Sequence, residues 1–202
     1  FKEENINVMV GTQMVAKGLN FPHVELVGIV LADSGMHIPD FRAQERTFSL
    51  LVQVAGRAGR YNDRGRVVIQ TFHPDNPAIV HAQSGDIPAF YEGELLARKE
   101  TNFPPYTRLI NLTVRGRNRD TVTAEVETLR SIFEQLRTKD GPALLVASEC
   151  PIEKIASNWR FHLLISGQSA SQTHHLVSTA LQAYTPPSSI YLEIDIDPLS
   201  LM

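Results

Sequence analysis

Apolar and polar positions along this chain follow two rhythms. Near-continuous apolar runs at residues 6–11, 24–32 and 66–71 predict short buried strands, the pattern of a parallel sheet covered on both faces. Between them, Gln13–Lys17 predicts one or two helical turns stopped by Gly18. Arg42–Ala55 repeats apolar residues at helical spacing, with Phe48, Leu51, Val52 and Ala55 on one face, and the Gly56–Gly65 stretch ends it. Strand, helix, strand, helix, strand is the bookkeeping of an α/β layer. Three strands make a thin sheet, so this part is expected to be half of a larger domain whose remainder precedes Phe1.

The second part changes character. Ala89–Thr101 predicts a helix, closed by Phe103-Pro104-Pro105-Tyr106 because two prolines cannot continue one. Strands are expected at Arg108–Arg115, Ala143–Glu149, Trp159–Ser166 and Ile190–Asp195, and helices at Asp120–Lys139 and Ser171–Tyr184. Asn118 offers a helix cap and Gly141-Pro142 a stop. The order β-α-β-β-α-β is the split βαβ, or ferredoxin-like, unit. The polar turn Gln83–Asp86 marks the expected linker. The fold class is therefore α/β plus α+β, with one domain over 1–86 and another over 87–202.

Composition narrows the chemistry. With 202 residues, 43% of them hydrophobic, the chain can bury a core without staples. One cysteine, Cys150, excludes a disulfide scaffold and a cysteine-built zinc site, and fits a reducing cytoplasm. No apolar run reaches the roughly 20 residues of a membrane span. The net charge is −3, and neither half is polybasic, so any nucleic-acid contact must come from local clusters. Two arginine clusters exist: Arg57, Arg60, Arg64 and Arg66, then Arg108, Arg115, Arg117 and Arg119. The second lies near Tyr106, and basic residues beside an aromatic can hold a nucleic-acid backbone and stack a base; a solvated sheet edge is an equal reading of these residues taken alone.

The string Gln53-Val54-Ala55-Gly56-Arg57-Ala58-Gly59-Arg60 carries the clearest chemistry. Arginines three apart lie on one side of a helical turn. Each follows a glycine, Gly56 or Gly59, which leaves no side chain in the way of a ligand. A guanidinium is always charged and grips phosphate oxygens in bidentate fashion. A glycine-broken helix end with solvated arginines is an equal reading of the string taken alone. A second string, Gly11-Thr12-Gln13-Met14-Val15-Ala16-Lys17-Gly18-Leu19-Asn20, follows a predicted strand. It is not a Walker A loop, because Ala16 stands where the second glycine is needed before Lys17, and Gly18 stands where Ser or Thr must follow it.

Together, in this order, the two strings resemble motifs V and VI of superfamily 2 helicases. With Ala32-Asp33, Asp40-Phe41-Arg42-Ala43, Phe103-Pro104-Pro105-Tyr106 and the terminal Asp195-Ile196-Asp197-Pro198, the chain resembles the primosomal replication-restart helicases. That resemblance implies the C-terminal half of a RecA-like lobe followed by a domain folded like ribosomal protein S10. It implies an ATP-dependent 3′→5′ DNA helicase that restarts stalled forks. Arg57 and Arg60 correspond to arginine fingers and Gln53 to the residue that senses nucleotide. Gly18 and Asn20 correspond to the nucleotide-facing end of motif V. Thr12 and Lys17 correspond to its contacts with the tracked strand, and Arg108 and Arg115 to contacts with branched DNA. Implied cofactors are ATP and Mg²⁺, held mainly by an earlier lobe, and zinc in a cysteine-rich insertion. The Walker A lysine, the DExx carboxylates and that insertion are not in these 202 residues. The fragment alone is therefore expected neither to hydrolyse ATP nor to unwind DNA. Implied partners are branched and single-stranded DNA, primosome proteins and single-stranded DNA-binding protein. The loop aligned with the last of these, Ser169–Thr173, has no basic residue, so that partner would need other contacts. The alternative class is a non-enzymatic DNA- or protein-binding module built on the split βαβ unit.

Three carboxylates, Glu193, Asp195 and Asp197, alternate near the C-terminus and read as a charged strand edge rather than a cation site. No metal ligands are assigned to this chain. Trp159 and Phe161 share a strand face and read as core. Cys150, before Pro151, reads as packed.

Overall fold

The computed structural model describes residues 7–12, 24–56, 58 and 65–201. The chain forms two compact units, Phe1–Leu95 and Leu96–Met202. The division falls within a helix, past the turn at Gln83–Asp86. Gln83 and Ser84 there belong to a helix, which Gly85 ends with a left-handed φ of 73°.

In the first unit, β1 (Leu26–Ile29) pairs in parallel with β2 (Arg66–Ile69), with Leu26 opposite Arg66 and Ile29 opposite Ile69. Helix α1 (Ala43–Ala55) lies between them in sequence, so the unit contains a βαβ crossover. A second helix, α2 (Pro77–Ser84), has no counterpart in the sequence reading. Its eight residues are too few to show a helical repeat, but Asn76 caps it and Pro77 starts it. Ala32, Leu51 and Ile79 form a small core under Ile29 and Ile69. Phe48, Ala78 and Phe90 form another, in which the rings of Phe48 and Phe90 stack 3.8 Å apart at 13°.

Two expectations need correction here. Residues 7–12 form no strand, and Val10 is 92% exposed. A strand needs an edge to bond to, and among the described residues β1 pairs only with β2. Among the described residues the expected cover on both faces is also absent: Leu26 is 62% exposed, and Val68 is exposed too. The core side chains of α1 and α2 pack against Ile29 and Ile69, on the other side of the pleat.

Helix α3 (Ile87–Glu100) leads into the second unit. There β3 (Arg108–Gly116), α4 (Arg119–Leu136), β4 (Ala143–Ile155), β5 (Asn158–Gly167), α5 (Ala170–Gln182) and β6 (Ile190–Ile196) follow the predicted β-α-β-β-α-β order. The sheet order is β4-β5-β3-β6, antiparallel at every pairing. Strand alternation sends Ile110, Leu112 and Val114 of β3 and Phe161, Leu163 and Ile165 of β5 to one face. There they meet Val122, Val126, Leu129 and Phe133 of α4 and Leu176, Val177 and Ala180 of α5. Asn118 Oδ1 caps α4 by accepting from the Thr121 N–H at 2.9 Å. Gly116 ends β3 where a Cβ would lie 2.9 Å from Ile190 and 3.1 Å from Val122, so packing itself requires glycine there. Strand β4 runs six residues beyond its predicted end, through Pro151. It is an edge strand, and its register shifts between Glu149 and Lys154, which lets a proline sit without costing a ladder bond.

Candidate functional site

The carboxyl ends of parallel strands are where α/β sheets place ligands. At that end of the first unit, Asp33 follows β1 in a short 3₁₀ turn, Ala32–Gly35, and is only 3% exposed. Its Oδ1 accepts from Thr71 Oγ1 at 2.6 Å and its Oδ2 from the Phe72 N–H at 2.8 Å. The Thr71 hydroxyl and then the Phe72 amide hold its carboxyl below the usual range, so it stays ionised. Ala32 N–H also donates to Gln70 O at 3.0 Å. The two strand ends are thus bracketed together. Sequence analysis assigns Asp33 no role; within this unit it forms that bracket.

Helix α1 starts on a second carboxylate. Asp40 Oδ1 accepts from the Arg42 N–H at 2.9 Å, and Asp40 Oδ2 pairs with Arg46 at 3.1 Å. The buried face of α1 is Ala43, Thr47, Phe48 and Leu51, which turns Gln53 and Gly56 outward. Gly56 is the C-cap, and its N–H donates to Val52 O at 3.0 Å. Its φ is −65°, and a Cβ there would come no closer than 3.4 Å to that oxygen. Neither backbone strain nor packing among the described residues requires glycine at 56. Arg57, Gly59 and Arg60 lie outside the described residues, as do Lys17, Gly18 and Asn20. Thr12 is described and exposed.

In the second unit the arginine cluster separates. Arg108 and Arg115 stand at opposite ends of β3, roughly 24 Å apart at 3.4 Å per residue, and on opposite faces. Each meets a carboxylate: Arg108 pairs with Asp197 at 3.2 Å, and Arg115 with Glu193 at 2.5 Å. Arg115 also lies over the Tyr191 ring at 5.1 Å. Arg119 pairs with Glu149. Two of the three terminal carboxylates are thereby matched to arginines, and among the described residues no three His, Cys, Asp or Glu side chains are placed to hold a metal ion.

Sequence reading missed one arrangement at this end of the sheet. Trp159 has Lys154 at 4.8 Å and Arg119 at 5.4 Å from its ring centre. Lys154 reaches it because the β4–β5 register sets the two opposite each other, information that spacing alone does not carry. Phe161 is core as expected, and Trp159 is half-buried against it. Cys150 is buried, and that burial pushes its thiol pKa up, so it is packed rather than reactive.

Two family models match the chain. The model described as the primosomal protein N C-terminal domain matches residues 99–199, and that of the helicase conserved C-terminal domain matches residues 1–62. The replication restart protein PriA of Treponema pallidum is 40% identical over 202 residues, covering all of this chain and 31% of that protein. The Chlamydia trachomatis protein of the same name is 37% identical over 99% of this chain and 26% of its own length. That of Bacillus subtilis is 36% identical over all of this chain and 25% of its own length. The chain thus spans between a quarter and a third of these relatives. No helix among the described residues is long and apolar enough to cross a membrane.

Proposed function

The chain belongs to the family defined by the primosomal protein N C-terminal domain, and from that membership we propose that it is the C-terminal part of an ATP-dependent DNA helicase that restarts stalled replication forks. The observation that carries this is the order of the two matches: a helicase C-terminal segment over 1–62, then the primosomal domain over 99–199. Both strings singled out in the sequence, 11–20 and 53–60, fall inside the first match. In this reading the first unit is the second half of a RecA-like lobe, and the second unit is an S10-like domain that contacts branched DNA.

The mechanism is lobe closure on a single strand. Helix α1 ends at the exposed Gly56, and the Gly-Arg repeat that follows it in sequence would serve nucleotide held on the earlier lobe. Arg57 and Arg60 meet the charge that develops on the γ-phosphoryl group, a contribution of roughly 10³–10⁵ in rate in related nucleotide hydrolases. Gln53, one turn earlier on the exposed face, senses the nucleotide and orients them. Gly56 and Gly59 permit the close approach. Gly18 and Asn20 face the same nucleotide, while Thr12 and Lys17 hold the strand backbone, so one segment couples both ligands. ATP with Mg²⁺ supplies the energy. Arg108 and Arg115 sit too far apart for one phosphate and act, if both bind, at separate points of a fork. Primosome proteins and single-stranded DNA-binding protein are the proposed protein partners, and the cytoplasm the proposed compartment.

The test compares the full-length protein with this 202-residue chain. Full-length protein should show DNA-stimulated ATP hydrolysis and 3′→5′ unwinding of a forked substrate, and the 202-residue chain neither. Stimulated hydrolysis by the short chain, or none by the long one, contradicts the proposal.

A further inference from the structure

The Asp33 bracket presents an exposed aromatic ring. Phe72 is 75% exposed. It lies past the last paired residue of β2, Ile69, so it belongs to neither face of the sheet. Its backbone is nevertheless fixed. Its own N–H is held by Asp33, Thr71 Oγ1 donates to the same carboxylate, and the His73 N–H donates to Thr71 Oγ1 at 3.0 Å. Beside it, the exposed imidazole of His73 meets that of His37, from the loop after β1, edge to face at 5.8 Å. Three rings therefore share the carboxyl end of the two strands.

The polar groups at this end say what kind of ligand the rings suit. Helix α2 begins four residues on, but its first amides are occupied. Pro77 has none, Ala78 donates to Asn76 Oδ1 at 2.9 Å, and Ile79 and Val80 donate to Asn76 O at 2.9 and 3.0 Å. Asp75 is an exposed carboxylate in the same loop. A phosphate finds no free donor in that helix end and meets a like charge beside it. A planar, uncharged π face finds a ring held on rigid backbone, with little ordering left to do on binding. We propose that Phe72, next in the chain to the His37–His73 pair, is a stacking site for a nucleobase. The proposal rests on reading the chain as part of a helicase motor, and the base belongs either to the tracked single strand or to ATP.

The experiment uses the full-length protein with Phe72→Ala, Phe72→Leu and Phe72→Trp. Each is titrated with a fluorescent oligo-dT and, separately, with a fluorescent ATP analogue. Stacking on an aromatic predicts that Ala and Leu weaken one of these ligands by about tenfold while Trp retains it. Weakening confined to oligo-dT assigns the base to the strand, and weakening confined to the ATP analogue assigns it to the nucleotide; either supports the site. Irradiation with 5-iododeoxyuridine-substituted oligonucleotide or 8-azido-ATP should correspondingly mark the peptide containing residues 71–73. If Leu matches wild type, the ring only covers apolar surface, and the proposal is overturned. It is equally overturned if neither ligand weakens and neither reagent marks that peptide. Wild-type DNA-stimulated hydrolysis, measured alongside, separates the two readings: its presence with a negative result here removes the stacking site alone.

Discussion

Arg115 and Glu193 meet at 2.5 Å on neighbouring strands, one on β3 and the other on β6. The Arg115 guanidinium also rests over Tyr191. An arginine held this way has to leave a carboxylate before it can neutralise a phosphate. Replacing Glu193 with Gln should therefore strengthen fork-DNA binding by full-length protein, whereas Arg115→Gln should weaken it and lower the salt slope by about one. Fluorescence anisotropy across a salt series checks both. Unchanged slopes in the two variants would remove Arg115 from the DNA surface. The pair contributes little to stability, since such exposed ion pairs are worth about 0–1 kcal/mol.

Phe48 and Phe90 carry more of the first unit's stability. Both rings are nearly fully buried, and their stacking fixes the start of α3 onto α1. Truncating either to Ala should cost about 3–5 kcal/mol, with a coupling between them of about 0.5–1.5 kcal/mol beyond burial. Chemical denaturation of the single and double variants measures both terms. Full additivity would mean that the rings do not support each other.

The second unit should weaken in mild acid through His162. This imidazole is 8% exposed, its Nε2 lies 3.2 Å from Ser148 Oγ, and its Nδ1 has no partner among the described residues. Burial, and then the nearby Arg160 charge, push its pKa below the ordinary 6.5. The folded form therefore binds this proton later than the unfolded form does. The stabilisation is complete above about pH 6.5 and declines as pH falls from there through the lower folded value. The urea midpoint of the second unit should drop between about pH 7.5 and pH 5, and the drop should shrink in His162→Leu. An equal drop in the variant would assign the effect to other groups.

Much of the second unit was legible in the sequence because its signals are local and redundant. Alternation along Arg108–Gly116 meets a 3.6-residue repeat along α4, a capping Asn118 and a stopping Gly141-Pro142. The first unit was less so. An apolar run such as 6–11 has strand chemistry, but a strand exists only when something lies beside it. Helix α2 was invisible because eight residues hold too little period. At the candidate site, the sequence placed Gln53 and Gly56 on one helix end, and the fold turns them outward together. It also grouped Arg108 with Arg115, which the length and pleat of β3 separate. The Asp33 bracket and the Lys154–Trp159–Arg119 stack depend on register between distant segments, which spacing does not encode.

The proposed function turns on Arg57 and Arg60, which follow α1 in sequence, completing a nucleotide site. The direct measurement is DNA-stimulated ATP hydrolysis by full-length protein carrying Arg57→Ala, Arg60→Ala or both. The account predicts a loss of about 10³-fold or more in turnover, with single-strand binding largely retained. Near-normal turnover in the double variant would contradict it.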